Sequence, residues 1–231
     1  MGSEWVELDV DDHTTMRAWV ARPEGPPTRG LLLFQEAFGV NAHIRDLAER
    51  FAATGFLVIA PELFHRSAPG FEGRYDEFPT AMAELQKITV AGLDADVRAA
   101  FGWLERAGTA GNTAAVGYCF GGRVSFVANS ALPLKAAVSY YGGNIPPLLG
   151  RAPHLSGPML FFWGGLDHHI SEEQRQAVVK GVGDAGKTFV NVVFSNADHG
   201  FFCDARATYH PDAAAQGWAL THAFLDTYCP R

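Results

Sequence analysis

Thiolates are strong nucleophiles, and the sequence around Cys119 is arranged to use one. An apolar run, Thr113 to Val116, meets Gly117–Tyr118–Cys119–Phe120–Gly121–Gly122, and a helical pattern resumes from Arg123 through Asn129. Strand, Gly-x-Cys-x-Gly turn and helix form the pattern of a nucleophile elbow, with cysteine where serine usually stands. The turn strains the backbone at the nucleophile, so strand and helix approach only if the residues two positions away are small, as Gly117 and Gly121 are. A sulfur placed there stands at a helix N-terminus, whose partial positive charge favours thiolate. The competing reading is a short pattern in a chain of 25 glycines, its cysteine packed as a small apolar residue.

A free cysteine titrates near pH 8.5, so an unaided thiol is only a few per cent ionised at neutral pH and needs a base. Candidates follow three other apolar runs. Glu36 lies just after Gly30–Phe34, Asp167 follows Phe161–Leu166, and His199 follows Phe194–Asp198. Each has a plain alternative as a turn former or helix cap. Asp198 is the poorer acid, because adjacency hinders its reaching back to the neighbouring ring, and His168 and His169 read as loop residues.

The elements that must position these groups follow from periodicity. Residues 5–10 and 15–21 alternate apolar with polar around Asp11–Asp12–His13, which predicts two antiparallel edge strands. Unalternating apolar runs at 30–34, 56–60, 136–140, 158–163 and 189–194 predict further strands. Helices are expected at about 42–53 with Asn41 as N-cap, 81–108 with a break near Gly92, 171–181 begun by Ser171, and 211–228. Residues 61–80, interrupted by Pro61, Pro69, Gly70, Gly73 and Pro79, predict a long loop walling a pocket. The alternation implies an α/β chain with a doubly wound, mostly parallel sheet and an antiparallel N-terminal edge. Ligands of such sheets sit beyond the carboxyl ends of the strands, where Glu36, Cys119, Asp167 and His199 all fall.

The 231 residues, 48% hydrophobic, suffice for one domain spanning 1–231. A net charge of −7 without basic runs argues against a nucleic-acid partner. Three widely spaced cysteines, with no zinc-type spacing, predict a reduced protein with neither disulfides nor a metal. No signal-like N-terminus or bilayer-length apolar stretch is visible, so a cytoplasmic protein away from membranes is expected, monomeric or else a homodimer.

From about residue 15 to 228 the chain resembles the dienelactone hydrolase (carboxymethylenebutenolidase) family of α/β-hydrolases. The motifs are Gln35–Glu36–Ala37–Phe38–Gly39, Pro61–Glu62–Leu63–Phe64, the Gly117–Gly122 elbow, the Asp167 loop and His199–Gly200–Phe201–Phe202. The resemblance implies the α/β-hydrolase fold and a triad with Cys119 as nucleophile, His199 as base then acid, and Asp167 as orienter. It implies that the resting thiol is held near neutral against Glu36, whose carboxylate is freed on substrate binding to help form the thiolate, and that the backbone N–H groups of Phe120 and Ala37 receive the oxyanion. No cofactor is implied; the partner is a small lactone or ester. Two arginines of the family hold a substrate carboxylate: Arg74 is the candidate for the first, Arg66 competes, and Arg206 for the second, because Cys203 fills the expected place. Phe38 is a further candidate contact. This departure leaves a broad carboxylesterase or thioesterase as the alternative to an enol-lactone hydrolase.

Overall fold

A computed structural model describes residues 2–109 and 111–231. Its framework is one eight-stranded sheet: β1 (Gly2–Asp9), β2 (Thr15–Arg22), β3 (Gly30–Phe34), β4 (Leu57–Pro61), β5 (Thr113–Tyr118), β6 (Ala137–Tyr140), β7 (Met159–Gly164) and β8 (Phe189–Phe194). They lie in the order β1-β2-β4-β3-β5-β6-β7-β8. The β1–β2 and β2–β4 pairs are antiparallel and every later pair is parallel. The expected N-terminal antiparallel edge is therefore present, with Trp5 opposite Trp19 and their rings edge-on at 5.3 Å.

Strands β3 to β7 are buried along their whole length, which is why their sequences show no alternation. The helices are α1 (Ala42–Ala53), α2 (Phe78–Leu85), α3 (Val90–Leu104), α4 (Phe120–Ala131), α5 (Glu172–Asp184) and α6 (Pro211–Tyr228). Neighbouring residues of one strand show that both faces are covered. Ser139 packs against Gly122 of α4, whereas Tyr140 Oη lies 2.7 Å from Thr221 of α6. Side chains at i and i+1 of a strand point to opposite faces, so the sheet is doubly wound.

Local signals hold at the caps. Asn41 accepts from Ile44 N at 3.2 Å, and Ser171 forms a reciprocal capping box with Gln174. Two expectations are corrected. The helical stretch expected from 81 begins at Phe78, because Pro79 sits in the first turn, where its missing N–H costs nothing. Its break lies at residues 86–89 rather than near Gly92; Gly92 is in the first turn of α3, donating to the Thr89 side chain at 3.0 Å. A 3-10 helix at Pro146–His154 has no counterpart in the expected elements.

Candidate active site

The elbow follows from the register of β3, β5 and β6. Cys119 links β5 to α4 with φ 54° and ψ −116°, outside the regions that non-glycine residues favour. Its N–H donates to the Tyr140 carbonyl at 3.0 Å, tying the turn to β6. A Cβ at Gly117 would run into the Gly121 carbonyl, and one at Gly121 into the Phe34 carbonyl. Both glycines are thus required by close approach of backbone to backbone.

Three loops converge on the sulfur. His199 Nε2 lies 3.1 Å from Cys119 Sγ, and the other ring nitrogen lies 2.8 Å from Asp167 Oδ2. Asp167 Oδ1 accepts from the N–H groups of His169 and Ile170 at 2.7 and 3.0 Å, which fixes the carboxylate. Asp198 instead accepts from the His199 N–H at 2.6 Å and so shapes the turn. Burial pulls the His199 ring down, but the Cys119 charge and the Asp167 carboxylate outweigh it and raise its pKa to about 10. Burial likewise raises Asp167, and its bonds to His199 and the two N–H groups more than offset this, leaving it below the usual range. This charge pattern favours the protonated ring at His199.

Glu36, which the resemblance sets against the resting thiol, is paired here with Arg206. One carboxylate oxygen accepts from Arg206 Nη1 at 3.1 Å, the other is buried without a partner, and among the described residues Glu36 makes no hydrogen bond to Cys119. Arg74 lies away from the cavity, 69% exposed at the side chain and bound to Asp76. Arg66 is bound between Asp12 and Asp96. Of the three arginines considered, Arg206 alone lines the cavity beside Cys119.

That cavity has a volume of about 490 Å³. Ala37, Phe38, Cys119, Phe120, His199 and Arg206 line it, as sequence reasoning anticipates. Among the turn, loop and cap bonds of the described residues, the N–H groups of Ala37 and Phe120 are unused. The outer wall is α2, through Phe78, Met82 and Leu85, rather than the loop before it. Tyr140, Tyr141 and Trp163 are core: each is at most 1% exposed.

Comparison with known proteins places this geometry. Residues 16–229 match the model of the dienelactone hydrolase family. The chain belongs to the dienelactone hydrolase family. Carboxymethylenebutenolidase of Pseudomonas putida is 29% identical over 222 residues, covering 93% of this chain and 92% of the relative. A Synechocystis protein, provisionally named a carboxymethylenebutenolidase, is 31% identical over 211 residues, 85% of each chain. The crystal structure of a provisionally named dienelactone hydrolase from Klebsiella pneumoniae superposes with a TM-score of 0.88 at 31% identity, covering 99% of this chain and 100% of that one. The sheet is therefore that of an α/β-hydrolase, and the chain is a hydrolase acting on esters or lactones.

Within this dienelactone hydrolase frame, several cavity residues were invisible to motif reasoning. Arg123, Asn144, His169 and Gln174 all line it. The His169 ring meets that of His199 edge-on at 5.1 Å, although its sequence reads only as loop. Spacing from the nucleophile could have found Arg123, four residues after Cys119 and thus one helical turn along α4. For metals, His43, Cys203 and Asp204 bring one ligand atom each within 4.8 Å of one another, a group that does not include Cys119. Among the described residues no helix is long and apolar enough to cross a membrane.

Proposed function

We propose that the protein opens enol-lactones such as dienelactone, or cleaves related small esters, through a Cys119–His199–Asp167 triad and a thioester acyl-enzyme. The observation that carries this is the chain of contacts from Sγ to Nε2 at 3.1 Å and from Nδ1 to Oδ2 at 2.8 Å. His199 takes the thiol proton, and the sulfur adds to the substrate carbonyl carbon. The N–H groups of Phe120 and Ala37 hold the oxygen that gains charge. As the C–O bond breaks, His199 gives its proton to the leaving oxygen, which stays tethered when the substrate is a lactone. Water, deprotonated by His199, then attacks the thioester; the C–S bond breaks, the acid leaves, and the thiol is restored. Asp167 keeps the ring oriented and compensates the imidazolium.

A second reading, a broad carboxylesterase or thioesterase, is favoured by one observation. Arg74, expected as a carboxylate anchor, lies outside a cavity walled by Phe38, Phe78, Met82 and Leu85. Comparing kcat/KM for dienelactone and p-nitrophenyl acetate separates the two. Either substrate, quenched with acid, yields a Cys119-linked acyl adduct by mass spectrometry under both readings. Turnover by Cys119→Ala near the wild-type rate would remove the thiol mechanism.

A further inference from the structure

A second cluster of chemically capable side chains lies outside the cavity lining. His43 sits in the first turn of α1, and Cys203 and Asp204 follow closely after His199. Each offers one ligand atom, and these atoms lie within 4.8 Å of one another. The His43 side chain is 6% exposed, and among the described residues neither of its ring nitrogens makes a hydrogen bond. Nε2 is buried without a partner, and Nδ1 lies 3.7 Å from Asp204 Oδ1, beyond hydrogen-bond reach. A buried imidazole with both nitrogens idle has given up water and gained nothing in return, an arrangement that native structures keep where another group completes it.

The spacing and the donor types point the same way. Nitrogen and oxygen ligands about 2.0–2.2 Å from a tetrahedral zinc stand roughly 3.3–3.6 Å apart. The 3.7 Å between Nδ1 and Oδ1 is close to that span. Imidazole, thiolate and carboxylate together carry two negative charges, which match a divalent cation, and the thiolate selects the zinc class over magnesium or calcium. Burial holds the His43 ring below its ordinary pKa and so neutral, the form that ligates a metal. Burial and then the Glu36 charge push the Cys203 thiol up to about 11, against the Tyr75 hydroxyl and the Ala205 N–H. Binding therefore exchanges a proton for the cation: the S–H bond breaks, the S–metal bond forms, and the proton leaves to solvent.

We propose that His43 Nδ1, Cys203 Sγ and a carboxylate oxygen of Asp204 form a binding site for a divalent cation of the zinc class. Water supplies the fourth ligand on the side where Asp204, 77% exposed, meets solvent. With Nδ1 on the metal, the ring proton sits at Nε2. The charge of Glu36, whose second carboxylate oxygen is buried without a partner, bears on the same ring and favours a proton there. The ion fastens the first turn of α1 to the segment that carries His199, and the site stands independently of the hydrolytic reading. Sequence spacing gives no sign of a metal because His43 is remote in the chain from Cys203 and Asp204, and only the packing of α1 beside the segment after β8 unites them.

The test uses the full chain carrying Cys119→Ala, which removes the cavity thiol and leaves Cys203 and Cys229. Stripped with a chelator and titrated with cobalt(II), this protein should bind one equivalent and show a thiolate-to-cobalt charge-transfer band together with the visible bands of tetrahedral cobalt. Zinc should bleach both. Adding Cys203→Ser should abolish the charge-transfer band, and adding His43→Gln should abolish tight binding. Absence of the band in the Cys119→Ala protein, or its survival in the Cys203→Ser variant, overturns the proposal. Because Asp204 is exposed, Asp204→Asn keeps the site testable should the buried variants fail to fold. Its zinc affinity, measured against a chromogenic chelator, should fall by at least the roughly tenfold that loss of even an outer-sphere partner costs. Zinc affinity equal to that of the Cys119→Ala parent overturns the site.

Discussion

Glu36 and Arg206, 170 positions apart in the chain, form an ion pair of 3.1 Å in which the carboxylate side chain is 1% exposed. It ties the loop after β3, which carries Ala37, to the segment after His199. Arg206→Met leaves a buried carboxylate without its counter-charge, which costs roughly 3–5 kcal/mol in comparable cases. Urea denaturation should show that loss, and adding Glu36→Gln should recover most of it. A double variant losing the sum of both single losses would mean that the two side chains act independently.

Asp167 and Asp198 bracket the question of which acid serves His199. Asp167 reaches the ring at 2.8 Å, whereas Asp198 reaches only the backbone N–H. Asp167→Asn should cut kcat by about three to four orders of magnitude, roughly 4–5 kcal/mol of barrier. Asp198→Asn should cost far less. Steady-state kinetics on a single ester ranks them, and the opposite ranking would reassign the acid.

Cys119 holds φ 54°, a conformation glycine adopts without penalty. Replacement by Gly and by Ala removes the thiol in both cases, but only Gly relieves the backbone. Thermal denaturation should place Cys119→Gly above Cys119→Ala by about 1 kcal/mol, the reverse of their usual order at a helix. Alanine at least as stable as glycine would show that the elbow is unstrained.

His199 is raised from 6.5 to about 10 by Cys119 and Asp167 acting against burial. A raised folded-state pKa means that its contribution to stability is complete below about pH 6.5 and is lost as pH climbs through about 10. The stability gap between wild type and His199→Gln should therefore narrow steadily over that window in denaturation series. A gap that widens with pH would mean that the ring is held neutral.

Strands β3 to β7 were readable because each is buried on both faces, so composition alone marks them. The convergence of Cys119, Asp167 and His199 was readable because each follows a strand end, and parallel strands gather their carboxyl ends at one edge. Helix α2 was misjudged because Pro79 reads as a breaker unless its place in the first turn is known. Arg123 was passed over for a different reason: a charged residue on a helix normally faces water, whereas this one, one turn beyond Cys119, lines the cavity. Arg74 failed conversely: two acidic neighbours, Asp76 and Glu77, claim it locally.

The strand order has a consequence during synthesis. Cys119 follows β5, near the middle of the sheet, while His199 follows β8, the outermost strand and the last one made. A ribosome-bound chain that has just completed its elbow thus carries the sulfur without Asp167, His199 or Arg206. The sulfur can meet the His199 ring only after 199 of the 231 residues have been joined, so under the proposed mechanism reactivity is switched on late, by the growth of the sheet itself.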